Sequence, residues 1–372
     1  MKAGELNIDR VVLELLGGHE LSTQTVALAL PGLNLVIRSN SDQLLQSLEH
    51  YFRHVVSSPA EEAIEIIAIE CQPVDLGIEF MDWKREPGKT GRKDSYHDFP
   101  GGRLVRKVRT GMVFLQSSAY VIAAGPCLRN DNQVINFITS QYMNWLQQQG
   151  WLICHASGMV NHGNCLALGG LSGGGKSTLM LKLMDDPDMV FLTNDRLFIK
   201  SIDGVVHARG IPKLPRINPG TIVHNPALHA LIPAEQREAL LRLPVDDLWH
   251  LEEKYDADIE SLYGPDRIGH EALLSGFMIL DWSRNSSVPL SVDRVDIREQ
   301  PGLLDAIMKS PGPFYLYPDG NFHQDSASLQ MEPYLEVLQD IKIYVARGRI
   351  DFDALAEYCL DLFLQKEGNH GK

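Results

Sequence analysis

The chain has 372 residues, 44% hydrophobic and 22% charged, which supports a sizeable folded core and exceeds the length one hydrophobic core usually organises. Its formal net charge of -14 repels phosphate backbones and anionic lipid alike, so neither nucleic acid nor a membrane is an expected partner. Five cysteines, odd in number and without a CxxC pair, argue against a disulfide framework and a zinc site, while an acidic N-terminus and the lack of any long apolar run point to a cytoplasmic location.

Residues 26–38, VALALPGLNLVIR, predict two short strands around a Pro-Gly turn. An amphipathic helix is expected over 41–55, with Leu44, Leu45, Leu48 and Phe52 on one face, and a strand at 63–69. The segment 83–102 is rich in Gly, Pro and charge and reads as an exposed loop, followed by small antiparallel strands at 104–108, 112–116 and 119–124. Between Lys84 and Arg109 the local charge turns basic, which a solvated loop explains and which would also suit docking of an acidic partner. Asn132 caps a predicted helix that runs to about Gln149 and stops at Gly150.

From residue 150 the texture changes. Short apolar runs at 152–155, 165–168, 190–193 and 197–200 read as buried strands of an α/β core, with further strands expected at 277–281 and 313–316. Helices are expected at 234–242, 303–308 and 335–366, and the acidic run from Asp246 to Glu260 reads as a solvated face. The expected division is an N-terminal α+β domain over 1–130 and a P-loop domain over 131–372.

Gly170-Leu171-Ser172-Gly173-Gly174-Gly175-Lys176-Ser177 fills every fixed position of G-x-x-x-x-G-K-[ST], between a predicted strand and a predicted helix. Glycines let successive backbone N–H groups turn inward around phosphates, where a Cβ would intrude. Lys176 then supplies a positive charge to the β- and γ-phosphates, Ser177 offers a hydroxyl to Mg²⁺, and the helix start containing Thr178 directs its positive dipole end at the nucleotide. ATP is therefore the expected ligand, with Gly170, Ser172, Gly173, Gly174, Gly175, Lys176, Ser177 and Thr178 around its phosphates. Val190 to Asp195 is an apolar run ending in a carboxylate, placed to reach Mg²⁺ or a reacting hydroxyl.

Together these features resemble the kinase domain of HPr kinase/phosphorylase and its relatives, in particular the branch described as HPr kinase-related kinase B. His155 stands at the family's spacing before the loop, Ser172 is third within it, Asn194-Asp195 occupies the place of an Asp-Asp pair, Arg209-Gly210 follows a further hairpin, and Ile211-Pro212-Lys213-Leu214-Pro215-Arg216-Ile217-Asn218-Pro219-Gly220 is similar to the branch's next segment. The similarity covers roughly 150–320. It implies an α/β P-loop core shared with phosphoenolpyruvate carboxykinase, ATP and Mg²⁺ as cofactors, and transfer of the γ-phosphoryl group to a hydroxyl of a small-molecule or protein acceptor. It assigns catalysis to Asp195, His155 and Lys176 and the metal to Ser177 and Asp195, and it leaves a homo-oligomer open. Lys213 and Arg216 lie in a Pro-rich loop whose rigid turns would aim them at phosphate or an anionic substrate, with a solvated position as the alternative, and Arg209 is the further expected acceptor contact. Two departures stand out: Asn194 cannot accept a proton where the family has its first aspartate, and His207 replaces a glutamate two residues before Arg209. The alternatives are a protein-serine kinase acting on a small carrier protein and an ATP-binding regulator with little catalysis.

Overall fold

The computed structural model describes residues 6–84, 91–170, 174–251 and 253–367. Compact packing separates the chain into Met1–Gly150 with Ser310–Ser328, and Trp151–Lys309 with Leu329–Lys372. The break thus falls after Gly150 rather than at 130. Helix Asp131–Gln148 belongs to the first unit because Val134, Phe137 and Ile138 are buried there, the Phe137 ring lying 4.9 Å from that of Phe114. The segment 313–316 returns to the same unit without forming the expected strand: Phe314 packs 5.1 Å from Phe137, and Asn144 donates to its carbonyl at 2.8 Å.

In the first unit a nine-stranded sheet runs in the order Val56–Ser57, Val26–Leu30, Leu33–Ser39, Ile64–Glu70, Val121–Gly125, Val113–Gln116, Gly102–Lys107, Asp94–Phe99 and Met81–Asp82. It is mixed: Leu33–Ser39, Ile64–Glu70 and Val121–Gly125 are parallel neighbours, while Val121–Gly125, Val113–Gln116 and Gly102–Lys107 pair antiparallel as expected. Part of the expected loop is a strand, Asp94–Phe99, in which Ser95 and Tyr96 are buried. The basic segment is also less free than its composition implies. Arg103 is fully buried and ion-paired with Asp98, Lys107 pairs with Asp94 at 2.6 Å, and Arg92 pairs with Asp82. Lys84, Lys93 and Arg109 remain exposed, while Lys89 lies outside the described residues. A helix not anticipated, Ile8–Leu16, is capped by the Asn7 side chain, ends at Gly17 in the left-handed region (φ 56°) and buries Val11 and Leu15.

In the second unit the sheet order is Leu152–Cys154, Leu197–Ile202, Val205–Arg209, Glu271–Ser283, Asn164–Gly170, Ala156–Asn161 and Val190–Thr193. Glu271–Ser283 is long enough to pair antiparallel with Val205–Arg209 near its start and parallel with Lys342–Arg349 further on, while its other edge holds Asn164–Gly170 in parallel. Side chains alternate between two cores, as a sheet covered on both faces requires. Leu166, Leu168, Met278, Leu280, Tyr344 and Ala346 face one core with helices Lys176–Leu183 and Phe352–Glu367. Cys165, Ala167, Phe277, Ile279, Ile343 and Val345 face the other, under Leu304, Ile307 and Leu338.

The single helix expected over 335–366 is three elements: helix Glu332–Leu338, strand Lys342–Arg349 and helix Phe352–Glu367. The expected helix at 303–308 is a 3-10 turn over Pro301–Ala306. Asp246, Asp256 and Asp258 of the acidic run pair with Arg284, pair with Arg216 and cap helix Ile259–Tyr263, respectively, while Glu252 lies outside the described residues. All five cysteines are free thiols, four of them buried. Among the described residues no helix is long and apolar enough to cross a membrane.

Candidate functional site

The strand Asn164–Gly170 delivers the chain to the glycine loop, and helix Lys176–Leu183 leaves it. Leu171, Ser172 and Gly173 lie outside the described residues. On either side of them the backbone is fixed by close packing. A Cβ on Gly170 would meet Leu280 at 3.2 Å, and one on Gly175, whose φ is +86°, would meet the Phe352 ring at 2.7 Å. Trp282 packs edge-on against Phe352 and donates its indole N–H to the Gly174 carbonyl at 2.8 Å. Lys176 reaches back across the loop, its ammonium donating to the Gly170 carbonyl at 2.7 Å. Only 8% of this lysine is exposed, and burial, reinforced by Lys309 and opposed by Asp195, pushes its pKa down to about 8. Ser177 follows as the second helical residue, partly exposed. The Thr178 hydroxyl is 2.8 Å from that of Thr221 and so ties this helix to helix Pro219–Val223.

Asn194, Asp195 and Arg196 form the turn between strands Val190–Thr193 and Leu197–Ile202. The turn is pinned by Ser157 donating to the Asn194 carbonyl at 2.6 Å and by Thr193 donating to the Arg196 carbonyl at 2.9 Å. Strand Leu152–Cys154 runs antiparallel to Leu197–Ile199, and the His155 N–H donates to the Ile307 carbonyl at 2.7 Å. His155 is thereby aimed at Asp195, with Nε2 3.0 Å from Oδ1. The other carboxylate oxygen, Oδ2, contacts Arg196 Nη1, which also donates to the Asp195 carbonyl at 3.0 Å.

The electrostatics follow from these neighbours. Burial alone would raise the Asp195 carboxyl, but Arg196, the hydrogen bond from His155 and the charge of Lys309 outweigh it and hold the group well below the usual carboxylate range. The hydrogen bond to Asp195 pulls His155 upward, yet burial together with Lys176 and Lys309 leaves its pKa below the ordinary 6.5, so the imidazole is neutral at pH 7. Asn194 Oδ1 is buried without a hydrogen-bond partner among the described residues.

Of the expected acceptor contacts, Lys213 lies within electrostatic reach of Asp195 and Arg196. Burial lowers its pKa to about 8, Arg196 and Arg216 push the same way, and Asp195 and Asp256 oppose them. Arg216 is ion-paired with Asp256 at 3.1 Å, at an angle that makes no hydrogen bond from Nε. Arg209 is held by Glu271 at 2.7 Å and lies 4.4 Å from the centre of the Trp151 ring. His207 binds the second oxygen of Glu271 at 2.9 Å. Gly210 has a steric reason: a Cβ there would lie 1.9 Å from the Leu192 carbonyl oxygen.

The fold thus gathers His155, Lys176, Asp195 and Lys213 from separate segments. Sequence reading missed Arg196, Lys309 and Trp282. Arg196 had one available signal, its place beside Asp195; Lys309 and Trp282 had none. Among the described residues, no group of three or more His, Cys, Asp or Glu side chains is arranged to hold a metal ion by itself.

No family model and no curated protein matches the chain. Among solved structures, the chain is similar to the Hpr(Ser) kinase/phosphatase from Coxiella burnetii, at 12% identity and a TM-score of 0.30, over 58% of this chain and 93% of that one. So distant a likeness says nothing of activity.

Proposed function

We propose that the loop from Gly170 to Ser177 binds ATP and that the chain transfers the γ-phosphoryl group, with Mg²⁺, to a hydroxyl of an acceptor. One observation carries this reading: a glycine loop ending in a buried lysine lies within electrostatic reach of an Asp-His pair brought in from two other strands. Phosphoryl transfer needs little more than positioning and charge neutralisation, and a cationic pocket around one ionised carboxylate supplies both.

In the transfer, the acceptor oxygen forms a bond to the γ-phosphorus, the bond to the β–γ bridging oxygen breaks, and ADP leaves. The hydroxyl proton goes to His155. A neutral imidazole that donates Nε2–H to Asp195 keeps its lone pair on Nδ1, whereas a carboxylate held as low as Asp195 is a weak base. Asp195 then orients His155 and stays ionised beside the phosphates. Mg²⁺ prefers hard oxygen donors and keeps most of its shell from water and phosphate, so the Ser177 hydroxyl and the half-exposed Asp195 carboxylate suit it. When bound, it would neutralise phosphate charge.

A second reading, a nucleotide-binding regulator with little turnover, is favoured by Asn194, an amide where the related kinases carry a carboxylate. Incubating the pure chain with γ-labelled ATP, Mg²⁺ and a cell extract divided by molecular mass separates the two. A kinase leaves label in an acceptor fraction, and Lys176→Ala abolishes it. Tight ATP binding with no labelled acceptor would favour the regulator.

A further inference from the structure

The turn after strand Val190–Thr193 and the segment after Gly210 bring together more positive charge than a nucleotide loop needs, in a chain whose net charge is -14. Lys176 serves the loop itself, donating to Gly170. Arg196 and Lys213 do not belong to the loop, yet Arg196 contacts Asp195, and Lys213 lies within electrostatic reach of both, in the segment whose Gly210 abuts the Leu192 carbonyl.

Arg196 contacts Asp195 through Nη1 alone, and its Nε and Nη2 make no hydrogen bond among the described residues. That pair of donors is the edge of a guanidinium that grips a phosphate or carboxylate with two parallel bonds. Lys213 sits between two buried prolines, Pro212 and Pro215, in a segment fixed by Ile211 and Leu214 in the core and by the Ala257 N–H donating to the Pro215 carbonyl at 2.8 Å. Its ammonium is partly buried and forms no ion pair among the described residues, while Arg216 beside it is taken by Asp256. A cation placed this way is costly to keep without a counter-ion, and an arriving anion completes it.

We propose that Arg196 and Lys213 form an anion subsite, separate from the nucleotide loop, that holds a phosphate or carboxylate of the acceptor, so that the hydroxyl receiving the phosphoryl group belongs to a small anionic molecule. The inference rests on the kinase reading for the word acceptor, but the subsite stands or falls by itself. With Lys213 only partly exposed between buried Pro212 and Pro215, an anion on a slender molecule reaches it more readily than one on a folded protein surface. Seated there, the anion brings its molecule alongside His155 and Asp195, where the hydroxyl proton is received.

The probe for the subsite is inorganic phosphate, titrated calorimetrically into the full chain saturated with a non-hydrolysable ATP analogue and Mg²⁺. One further phosphate should bind, Lys213→Met should weaken it at least about tenfold while changing analogue affinity less than about twofold, and Lys213→Arg should restore most of the loss. Phosphate binding that vanishes once the analogue is present, or that Lys213→Met leaves unchanged, overturns the subsite. In the labelled-ATP assay, acceptor activity in the extract should bind an anion exchanger before the reaction. Its loss on prior phosphatase treatment identifies a phosphomonoester, and its survival identifies a carboxylate. An acceptor that is uncharged, or a labelled protein band, contradicts the assignment. Failure to bind the ATP analogue at all sinks the nucleotide reading instead, and phosphate binding by Lys176→Ala then still decides the subsite.

Discussion

Asp195 uses one oxygen on His155 and the other on Arg196, and this division sets what each residue contributes. In the proposed transfer, Asp195→Asn removes the charge that orients the imidazole and would face the phosphates, and the transfer rate should fall by at least about a hundredfold while ATP affinity changes far less. With His155 as the proton acceptor, His155→Ala should cost a comparable factor in single-turnover rates. A much smaller loss would return the proton to Asp195. The pH profile provides a second check. The rate constant at low ATP should rise as His155 loses its proton below its ordinary 6.5, and should decline above about pH 8 as Lys176 of the free protein loses its charge. A profile flat from pH 5 to 9 would contradict both roles. At this scale the motif made Lys176 and Asp195 legible, and the resemblance made His155 so. The arginine and lysine that set their charge states were not legible, because Arg196 depends on a turn geometry and Lys309 arrives from a distant part of the chain.

Two contacts hold the site in place, one a close backbone approach and the other a side-chain hydrogen bond. Gly210, just after strand Val205–Arg209, lets the chain pass the Leu192 carbonyl, just ahead of the Asn194-Asp195 turn. Gly210→Ala must displace one of them, so it should destabilise the chain by about 1–3 kcal/mol in chemical denaturation and also lower the transfer rate. Destabilisation by only a few tenths would show that the strands are not so close. Trp282→Phe keeps the ring against Phe352 but removes the donor to Gly174, which should weaken ATP binding by about 1 kcal/mol. The buried strands up to residue 200 were readable because their apolar runs are short and bounded by glycine or charge. Lys342–Arg349 was not. Its run, KIYVARGR, lies between Leu335-Leu338 and Leu355-Phe363, and periodicity alone does not distinguish a short buried strand from a turn of buried helix. Strand Asp94–Phe99 was hidden for the opposite reason: its polar residues pair with Arg103 and Lys107 of the next strand.

Across the whole molecule, the sequence conveyed an α/β half and an α+β half but placed their division too early. The return of Ser310–Ser328 to the first unit was unreadable, since only the packing of Phe314 against Phe114 and Phe137 reveals it. The buried lysines also leave a global signature. Lys176 and Lys213 each fall from 10.5 to about 8 on folding, so between those values the unfolded chain binds more protons than the folded one, and stability rises with pH across the window. Below about pH 8 each ammonium must be kept charged in a partly desolvated place, and Lys213→Met should therefore raise the melting temperature at pH 7. A melting temperature that falls would show that Lys213 is paired in the folded chain. Such a cost is what a site assembled for an anion carries before the anion arrives.

If the loop between Gly170 and Ser177 holds the phosphates of ATP, equilibrium binding of labelled ATP with Mg²⁺ must differ between the full chain and Lys176→Ala. Circular dichroism and melting curves of both proteins establish that the fold survives the substitution. Binding by the native chain should be saturable, and the variant should lose at least about tenfold in affinity, since a charge-assisted contact to phosphate is removed. Equal affinity in the two folded proteins, or no ATP binding by the native chain, would contradict this role of the loop.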